Sequence, residues 1–489
     1  MRIILLKEIL SMFELTSLIY YLVIAGVTYW AYNVYHSLFL SPLKDIPGPL
    51  ILQIFPFYKG IARFQGLEHS EEVYYHEVYG PTVRLGWNRV IFASPEAASE
   101  IYSTHAYKKG PFYKVMRSAG VTVFSTDDRE FHQKRKRIIA PAFSQKYIDS
   151  LDESIRRAGI EPMIEILDRH ASEGSMADLY LLFGSSTIDV IGEVSFGKTF
   201  NTIRAGGHPF VKWFSQSQVY NAFYLIFPFL LGLKSPPLRK MQAFGIQAVE
   251  NFLKGPQKDS IMKMLIESTD PETGDKLSIE EVVSEATLQI IAGSDSTSNT
   301  MTWTFYLVMK HPQIYKRLVE ELVEAFPNKD SSITIPDIKA AKLPFMEAVI
   351  KESMRLMPAA QRAFERLVPE GGRKIHGYFI PEGTIVGANI LALHTLKALW
   401  GEDAQEFKPE RWLSGQLEPE GKWMPFLIGP RACLGRHLAM AETRLVVANL
   451  FRKYEFTFIS PDQTLTPFTI AFTRPKEECF HVYVTTWET

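Results

Sequence analysis

The sequence predicts a mainly α-helical protein with small β-sheets, preceded by a single N-terminal transmembrane helix. Three observations lead to this fold class. An uncharged apolar run lies near the N-terminus, apolar residues recur at helical spacing along most of the remaining chain, and short β-like runs separate some of the helical stretches. We therefore divide the chain into a membrane anchor, residues 1–43, and one large folded domain, residues 44–489.

The N-terminal run from Leu15 to Leu43 contains no Asp, Glu, Lys or Arg. A helix needs about 20 apolar residues to cross a bilayer, and this run is long enough. No small-residue cleavage site follows, which favours a retained anchor over a signal peptide; a buried core helix is the alternative. The run Asp45-Ile46-Pro47-Gly48-Pro49 then predicts a stiff turn, because its prolines cannot continue a helix. A second apolar segment, Tyr220–Leu233, is shorter and predicts either a buried helix or a second surface that dips into the membrane.

The composition is that of an ordinary globular protein and excludes several functional classes. The chain has 489 residues, 46% of them apolar, and a net charge of −1. A nearly neutral chain gives no electrostatic argument for a nucleic-acid partner. Its two cysteines, Cys433 and Cys479, are too few for a disulfide framework or a four-cysteine zinc site. They suit a reducing compartment, where a lone cysteine more often binds a metal or performs chemistry.

Two helices stand out among the regular elements. The first begins at Ser278, where Glu281 completes a capping box, and its apolar periodicity continues to Met309 before Pro312 stops it. Its length is on the order of 48 Å at 1.5 Å per residue, enough to cross the whole domain. The second helix is predicted from Pro344 to Met357. Short strands are predicted at Thr82–Leu85, Val90–Phe92, Lys374–Ile380, Thr384–Val386 and Val482–Thr485.

The most informative stretch is the loop around the first cysteine, which reads F-x-x-G-x-R-x-C-x-G from Phe426 to Gly435. Gly429 and Gly435 allow backbone turns that other residues resist. Cys433 can offer a thiolate to an iron, with peptide N–H groups tuning the sulfur. Arg431 can pair with a carboxylate. An isolated cysteine in a glycine-rich turn is usually structural, but five residue types at fixed spacing outweigh that interpretation.

With this loop the chain resembles the cytochrome P-450 family of haem-thiolate monooxygenases, and the resemblance covers nearly the whole chain. It implies the cytochrome P-450 fold for residues 44–489 and haem (iron protoporphyrin IX) as the cofactor. By this resemblance Cys433 is the axial ligand of the haem iron, and Phe426 belongs to the cofactor-binding loop. A thiolate ligand donates electron density that favours cleavage of the O–O bond. Cys479 has no motif around it and is interpreted as structural.

A second motif combines an E-x-x-R sequence with a later P-x-R-W sequence. Glu352 and Arg355 share a helix face, although this spacing alone usually marks a solvated surface pair. Arg411 stands where the family has its P-x-R-F arginine. The resemblance therefore implies a structural cluster in which Glu352 bridges Arg355 and Arg411 on the haem side of the core. Trp412 replaces the usual Phe, as is common in fungal-looking members.

The long helix carries Ala292–Thr297, which resembles the family's oxygen-activation motif A-G-x-D/E-T-T/S. The resemblance assigns catalytic roles to Asp295, Ser296 and Thr297, with Asp295 and a hydroxyl relaying protons during oxygen activation. It also implies that Gly293 widens the helix locally to make room for dioxygen. Ser296 stands where Thr is usual, so it keeps the hydroxyl but lacks the stiff β-branch. A polar helix patch beside water is the alternative interpretation.

The resemblance further implies contacts between the haem propionates and basic side chains. By family position these are His132, Lys136, Arg366 and Arg431. His132 stands where many members have Trp, and Lys136 where they have Arg. Lys134 and Arg137 of the same basic run are either a solvated face or a docking surface for an acidic flavoprotein.

Family placement also marks substrate-facing segments, which are mostly apolar and so favour an apolar or weakly polar organic substrate. These segments are Phe112–Phe124, Phe210–Leu233, Ile290, Ala359-Ala360-Gln361 and Thr469-Ile470.

Together these features predict a haem-thiolate monooxygenase. It would insert one oxygen atom from O2 into a small apolar substrate, with electrons from an NADPH–cytochrome P-450 reductase. Val368–Gly372, Ile380–Thr384 and Phe407–Leu413 resemble fungal members of secondary-metabolite pathways. The expected location is the endoplasmic reticulum membrane, crossed once, with the catalytic domain in the cytoplasm and no nucleic-acid partner.

Three other functions agree less well with the sequence. A haem-thiolate isomerase or dehydratase would act without a reductase, but such enzymes often lack the helix acid and alcohol found at Asp295 and Ser296. A haem sensor or electron carrier would want a second axial ligand, and no His or Met lies in the segment Gly293–Thr297 to supply one. A dinucleotide enzyme is disfavoured because no G-x-G-x-x-G motif follows a predicted strand.

Overall fold

α-Helices account for most of the chain, as the sequence predicts. The computed structural model describes residues 2–55, 58–117, 120–226, 235–256, 258–415 and 421–487. The helices of the first half are α1 (Arg2–Tyr35), α2 (Leu50–Ile54), α3 (Tyr58–Phe64), α4 (Glu68–Tyr79), α5 (Pro95–Tyr102), α6 (Phe112–Met116), α7 (Arg129–Ile139), α8 (Gln145–Ser150), α9 (Asp152–Ile155), α10 (Glu161–Glu173), α11 (Leu179–Phe196) and α12 (Pro209–Ile226).

The second half begins with two helices that lead to the long central one. Short π- and 3-10-helical turns at 36–40, 140–143, 156–160, 409–412 and 429–431 join some of the elements. The helices of this half are α13 (Pro236–Lys254), α14 (Ile261–Glu267), α15 (Ile279–Lys310), α16 (Pro312–Ala325), α17 (Ile335–Ala341), α18 (Pro344–Leu356), α19 (Ile390–Thr395), α20 (Lys397–Trp400) and α21 (Arg436–Lys453).

The strands form small, mostly antiparallel sheets, and the one parallel pairing among those described is β2 with β8. One sheet has the order β1-β2-β8-β5-β3, another β4-β12-β9, and β6-β7 and β10-β11 are hairpins. The strands are β1 (Thr82–Arg84), β2 (Arg89–Phe92), β3 (Lys108–Lys109), β4 (Met176–Asp178), β5 (Arg366–Leu367), β6 (Arg373–Ile375), β7 (Tyr378–Ile380), β8 (Ile385–Ala388), β9 (Tyr454–Phe458), β10 (Pro467–Thr469), β11 (Thr473–Pro475) and β12 (His481–Thr486).

The predicted strands are confirmed, with one correction. The run Lys374–Ile380 is not a single strand but a tight hairpin of β6 and β7. His376 and Gly377 form its two-residue turn with φ of 44° and 86°. Two successive positive φ angles match the right-handed twist of paired strands, which explains why the chain reverses at this point.

The two predicted helices are confirmed to within one or two residues. At the start of α15, the Ser278 hydroxyl accepts from the Glu281 amide at 3.3 Å and a Glu281 carboxylate oxygen accepts from the Ser278 amide at 2.8 Å. This is the predicted capping box. The helix continues to Lys310 and most of its central residues are buried, so α15 crosses the interior of the domain.

The main hydrophobic core lies where α11, α15 and α21 meet. The Phe305 ring of α15 is stacked on Phe451 of α21 with centroids 4.3 Å apart, and it lies 4.9 Å from Phe183 of α11. A Cβ at Gly293 would come within 3.1 Å of the Ile191 side chain. The glycine therefore lets α11 pack closely against α15 at the predicted oxygen-activation motif.

The N-terminal helix α1 is followed by a segment that is fixed on the large domain. Trp30 donates its indole N–H to the carbonyl of Ile54 at 2.7 Å and stacks on Phe55. Arg84 donates to the Ser37 hydroxyl at 2.8 Å. Among the described residues, the helix long and apolar enough to span a membrane by length and composition is α11, and 83% of it is buried in the core.

The second predicted apolar segment, Tyr220–Leu233, is helical in α12 as far as Ile226. Its remaining residues, 227–233, lie outside the described part of the chain. Tyr220 and Phe223 are exposed on α12.

Candidate active site

Cys433 lies in a loop that closes on itself directly before α21. Its amide donates to the carbonyl of Phe426 at 2.9 Å. Gly429 has φ of 73°, and a Cβ there would lie 2.2 Å from the carbonyl oxygen of Tyr102. This position therefore requires glycine both for its backbone conformation and for the close approach of α5. The same expectation for Gly435 is wrong, because its φ of −77° is open to any residue.

Cys433 is exposed. Surrounding protein atoms nevertheless desolvate it, and burial raises the pKa of the thiol. The amides of Gly435 and Arg436 and the positive charge of Arg436 act in the opposite direction and favour the thiolate. A thiol presented in this way, with peptide N–H groups beside the sulfur, suits a metal ligand.

Three cations lie beside the cysteine loop: Lys109 and Arg366, which are buried, and Arg431, which is partly buried. Lys109 and Arg366 lie directly opposite each other in the β3–β5 pairing, although like charges in such positions repel. Both side chains are buried. Arg366 donates to the Tyr113 hydroxyl at 3.1 Å, and Arg431 donates to the carbonyl of Thr126 at 3.1 Å. Lys109 donates to the carbonyl of Phe124.

No ion pair joins Lys109, Arg366 or Arg431 to a carboxylate among the described residues, although Asp127 acts on Lys109 and Arg431 from a longer distance. The Nε of Arg431 is buried without a hydrogen-bond partner. Burial and the neighbouring Arg431 and Arg366 hold the pKa of Lys109 well below its usual range. Burial lowers the pKa of Arg431 to about 10. An unpaired buried cation is costly, so the cluster is suited to an anionic group that the protein itself does not supply.

The two remaining predicted propionate contacts lie at the edge of this cluster. His132 is buried on α7, its Nδ1 has no hydrogen-bond partner, and its ring lies 5.5 Å from that of His105. Burial and then Arg431 lower the pKa of His132 to about 3, so the ring is neutral. Lys136 donates to the carbonyl of Pro430 at 2.8 Å and so supports the cysteine loop.

The residues present fit a haem group. Among the described residues no cluster of three or more His, Cys, Asp or Glu side chains could hold a free metal ion. A porphyrin supplies four iron ligands of its own, so one thiolate from the protein is sufficient. Its two propionates would supply negative charge to the site formed by Lys109, Arg366 and Arg431. Phe426, predicted in the cofactor-binding loop, is half-buried against the main core.

The predicted catalytic residues of α15 occupy different faces of the helix. The Ser296 hydroxyl donates to the carbonyl of Ala292 at 2.7 Å, and Thr297 is buried. The Asp295 carboxylate lines a small cavity with Tyr180 and Arg474. Burial raises the pKa of Asp295 to about 6, against the positive charge of Arg474. The acid can therefore gain and lose a proton near neutral pH.

Glu352, Arg355 and Arg411 form one buried cluster. Two parallel bonds of 2.8 Å join the Arg355 guanidinium to the Glu352 carboxylate, and Arg411 Nε lies 2.9 Å from Glu352 Oε1. Arg355 also donates to the carbonyls of His394 and Ala404 at 2.7 Å. The cluster thus joins α18 to the loop that precedes the cysteine segment.

The substrate-facing positions are largely buried. Ile290 is buried on α15, and Ala360 and Gln361 are buried after α18. The Thr469 hydroxyl donates to the Gln361 side-chain oxygen at 3.2 Å, which joins two of the predicted segments. Within Phe112–Phe124, residues 118–119 lie outside the described part of the chain, as do residues 227–233 of Phe210–Leu233.

Sequence reasoning missed Lys109, Tyr180 and Arg474. Lys109 lies on a two-residue strand, where alternation buries it and exposes Lys108. A strand this short leaves no periodic signal. Tyr180 and Arg474 reach Asp295 from α11 and β11, and only the tertiary fold brings these distant segments together.

Comparison with known proteins identifies the family. The cytochrome P450 family profile matches residues 46–481, so the chain belongs to the cytochrome P-450 family. The monooxygenase LUC2 of Fusarium sp is 29% identical over 482 residues, covering 95% of this chain and 94% of the relative. The monooxygenase atr2 of Stereocaulon alpinum is 28% identical over 492 residues, covering 94% and 93%. Versicolorin B desaturase of Aspergillus parasiticus is 28% identical over 458 residues, covering 89% and 90%.

The chain is accordingly a cytochrome P-450 monooxygenase, an oxidoreductase whose cofactor is haem. Its resemblance to fungal secondary-metabolism members, noted from the sequence motifs, agrees with these relatives.

Proposed function

We propose that the protein inserts one oxygen atom from O2 into a small apolar organic substrate, as one step of a fungal secondary-metabolite pathway. NADPH supplies two electrons through a cytochrome P-450 reductase. Substrate, O2, NADPH and one proton then give the hydroxylated product, water and NADP+. The observation that carries the proposal is the cysteine loop beside the cations Lys109, Arg366 and Arg431, of which Lys109 and Arg366 are buried and none forms an ion pair with a carboxylate among the described residues. The fungal relatives support the pathway class.

In this proposal Cys433 ligates the haem iron, while Arg431, Arg366 and Lys109 receive the propionates. When bound, haem supplies the activation of dioxygen, assisted by electron density from the thiolate. His132 is neutral and would donate one ring N–H at the propionate edge of the haem. Lys136 uses one N–H for Pro430 and keeps two donors for a propionate.

Asp295 and Ser296 are proposed to deliver the protons. The Ser296 hydroxyl uses its single hydrogen for the Ala292 carbonyl, so its lone pairs are left to accept from a donor. Asp295 has a pKa of about 6 and can exchange protons at physiological pH. Thr297 is buried, and we assign it a structural role in support of Asp295 and Ser296.

A haem-thiolate isomerase or dehydratase, which would act without a reductase, is the alternative. Such a reaction needs no net proton supply. The titratable Asp295 and the hydroxyl of Ser296 on the same helix turn favour monooxygenation over this alternative.

We further propose that the protein is held on the endoplasmic reticulum membrane by residues 1–43, with the catalytic domain of residues 44–489 in the cytoplasm. The support is the uncharged run in α1, whose side chains Leu18, Leu22 and Val23 are exposed. The exposed apolar side chains of Leu50 and Ile51 on α2 extend the same kind of surface. Residues 37–43 of the anchor also pack on the large domain, through contacts such as Ser37 with Arg84.

Lys134 and Arg137, one of whose predicted roles is a docking surface for an acidic flavoprotein, are both paired within the chain. Lys134 Nζ lies 2.5 Å from a carboxylate oxygen of Asp275, and Arg137 Nε lies 2.7 Å from Asp270. Both charges therefore have a carboxylate partner within the chain, which favours the interpretation as a solvated face over the docking surface.

The experiment uses holoenzyme, NADPH and a fungal reductase under 18O2 with a panel of apolar compounds. The expected result is a product that gains one 18O atom, strictly dependent on NADPH. Asp295→Asn should slow product formation far more than it weakens substrate binding, whereas Glu280→Gln, an exposed carboxylate of the same helix, should change neither. Product formation without NADPH or 18O incorporation would instead establish the isomerase or dehydratase.

A further inference from the structure

The segment that follows α18 carries an arginine, Arg362, whose guanidinium makes no hydrogen bond to any described residue. Its closest carboxylate oxygen belongs to Glu68 and lies 3.9 Å away, which is too far for a hydrogen bond. The Arg362 side chain is 13% exposed, and none of its nitrogens is fully buried. The N–H donors of this arginine are therefore available to a ligand.

The charged groups around Arg362 leave one positive charge in surplus. Three carboxylates act on Arg362, and each has a closer cation of its own. The pairs are Glu68 with Arg63, Glu72 with Lys59, and Glu365 with Arg89. The N–O distances in these pairs are 2.5 or 2.6 Å, against 3.9 Å for Arg362. Burial and then Arg63 lower the pKa of Arg362 to about 10, so the guanidinium stays charged at neutral pH and would be stabilised by an anion.

Arg362 is held among the predicted substrate-facing segments. Its guanidinium carbon lies 4.2 Å from the centroid of the Phe112 ring, which opens one of these segments. Gln361, the preceding residue, belongs to a second segment and accepts from the Thr469 hydroxyl of a third. The carbonyl of Gln361 also accepts from the Leu391 amide at 3.0 Å, which fixes the backbone beside the arginine. An anion bound by Arg362 would therefore lie next to residues that are expected to contact the substrate.

We propose that Arg362 is a specificity-determining residue that binds a carboxylate of the substrate, so that the substrate is an apolar carboxylic acid. The inference rests on the proposed monooxygenation, whose substrate class it narrows. A planar guanidinium presents two parallel N–H groups that match the two oxygens of a carboxylate, and stacking on Phe112 holds its plane. The single surplus positive charge equals the charge of one carboxylate, whereas a phosphate would bring ~1.5–2 negative charges. Ala360 and Ile470 keep the neighbouring predicted contacts apolar.

The test compares matched pairs of ligands by isothermal titration calorimetry on the holoprotein, without NADPH or reductase. The probes are dodecanoate and 6-phenylhexanoate, each measured against its primary carboxamide, which has nearly the same shape but no charge. Because hydrogen bonds to a charged group are the stronger ones, each carboxylate should bind the wild type roughly 10- to 100-fold more tightly than its amide.

Substitutions at Arg362 assign this preference to the guanidinium. Arg362→Met keeps the apolar stem and removes the charge, so the two members of each pair should bind almost equally, with the affinity for the amides unchanged. Arg362→Lys should retain part of the preference, and Arg362→Gln replaces Arg362→Met should that variant fail to fold. Arg204→Met removes an exposed arginine paired with Glu165 and should keep the full preference. Thermal midpoints and haem content show which variants are folded.

Two results would overturn the inference. One is that neither carboxylate binds the wild type more tightly than its amide, which includes the case in which no carboxylate binds. The other is a preference that persists after the Arg362 charge is removed. The titration needs no turnover, so a missing preference would leave the proposed monooxygenation standing, and a product without 18O would leave the carboxylate preference standing.

Discussion

Trp412 donates its indole N–H to Oε2 of Glu352 across 2.9 Å. Trp412 stands where the family pattern has Phe, and a phenyl ring could not make this bond. The departure from the pattern therefore adds a donor to a buried carboxylate that already receives Arg355 and Arg411. It strengthens the connection between α18 and the segment that leads to the cysteine loop.

The first prediction concerns this cluster. Glu352→Gln should destabilise the protein by ~3–5 kcal/mol, because it leaves Arg355 as a buried cation without a counter-charge and removes the nearer of the two carboxylates that pair with Arg411. The shift of the urea unfolding midpoint measures the effect. Glu402→Gln removes an exposed carboxylate paired with Lys397 and serves as the matched control, with no measurable change expected. Equal midpoints for the two variants would contradict a stabilising role for the Glu352 cluster.

The second prediction concerns Lys109. Lys109→Met should weaken haem binding by roughly 10- to 100-fold, because a hydrogen bond to a charged group contributes ~1.5–3 kcal/mol. Haem loss to apomyoglobin measures this without any turnover. Lys108→Met, on the exposed side of the same strand, is the control and should retain haem like the wild type. Identical loss rates in the two variants would remove Lys109 from the propionate site.

The third prediction is a pH dependence of stability at Glu285. Its carboxylate is buried on α15 and accepts from the Val123 amide at 2.8 Å. Burial raises its pKa from 4.5 to about 7. Between these two pKa values the folded state binds more protons than the unfolded chain. The free energy of unfolding therefore falls as the pH rises from about 4.5 to about 7, by on the order of 3 kcal/mol.

Glu285→Gln keeps the acceptor for Val123 but cannot ionise. The thermal midpoint of the variant, relative to that of the wild type at the same pH, should therefore rise from pH 5 to pH 8. Glu324→Gln, at an exposed position of α16, should follow the wild type at every pH. Parallel curves for Glu285→Gln and the wild type would show that Glu285 does not titrate in this range.

The fourth prediction concerns membrane attachment. Deleting residues 2–35 removes α1 but keeps the segment around Ser37 that packs on the large domain. Most of the protein should then move from the membrane pellet to the supernatant after centrifugation. If the truncated protein stays fully bound, the exposed surface of α12 with Tyr220 and Phe223 must hold it independently. Replacing those two residues by Ser in the truncated protein separates the two cases.

Much of the site is encoded in local patterns. The cysteine loop and the capping box of α15 lie within short stretches, so spacing predicts their placement. The E-x-x-R pair is equally local, but its place in a structural cluster is predicted from the family resemblance. The ion pair of Lys134 with Asp275 joins residues 141 positions apart, and no local pattern indicates it. Leu427 adopts φ of 57° beside the cysteine loop, a conformation that a non-glycine residue seldom takes and that the surrounding fold must impose.

Lys109 and Arg474 are functional-site residues that the sequence did not predict, for the same reason. Each is a basic residue in a segment too short or too irregular to show a periodic pattern of burial. Each owes its place in the site to residues that are distant in the sequence. Lys109 gains its role from Arg366 across a strand pairing, and Arg474 from Asp295 across a cavity.

The central claim is that Cys433 is the thiolate ligand of the haem iron. The most direct test is the carbon monoxide difference spectrum of the reduced holoprotein, compared among wild type, Cys433→Ser and Cys479→Ser. We expect a strongly red-shifted Soret band in the wild type and in Cys479→Ser, and its loss in Cys433→Ser. A red-shifted band that survives in Cys433→Ser, or a histidine-type band in the folded wild type, would contradict the assignment.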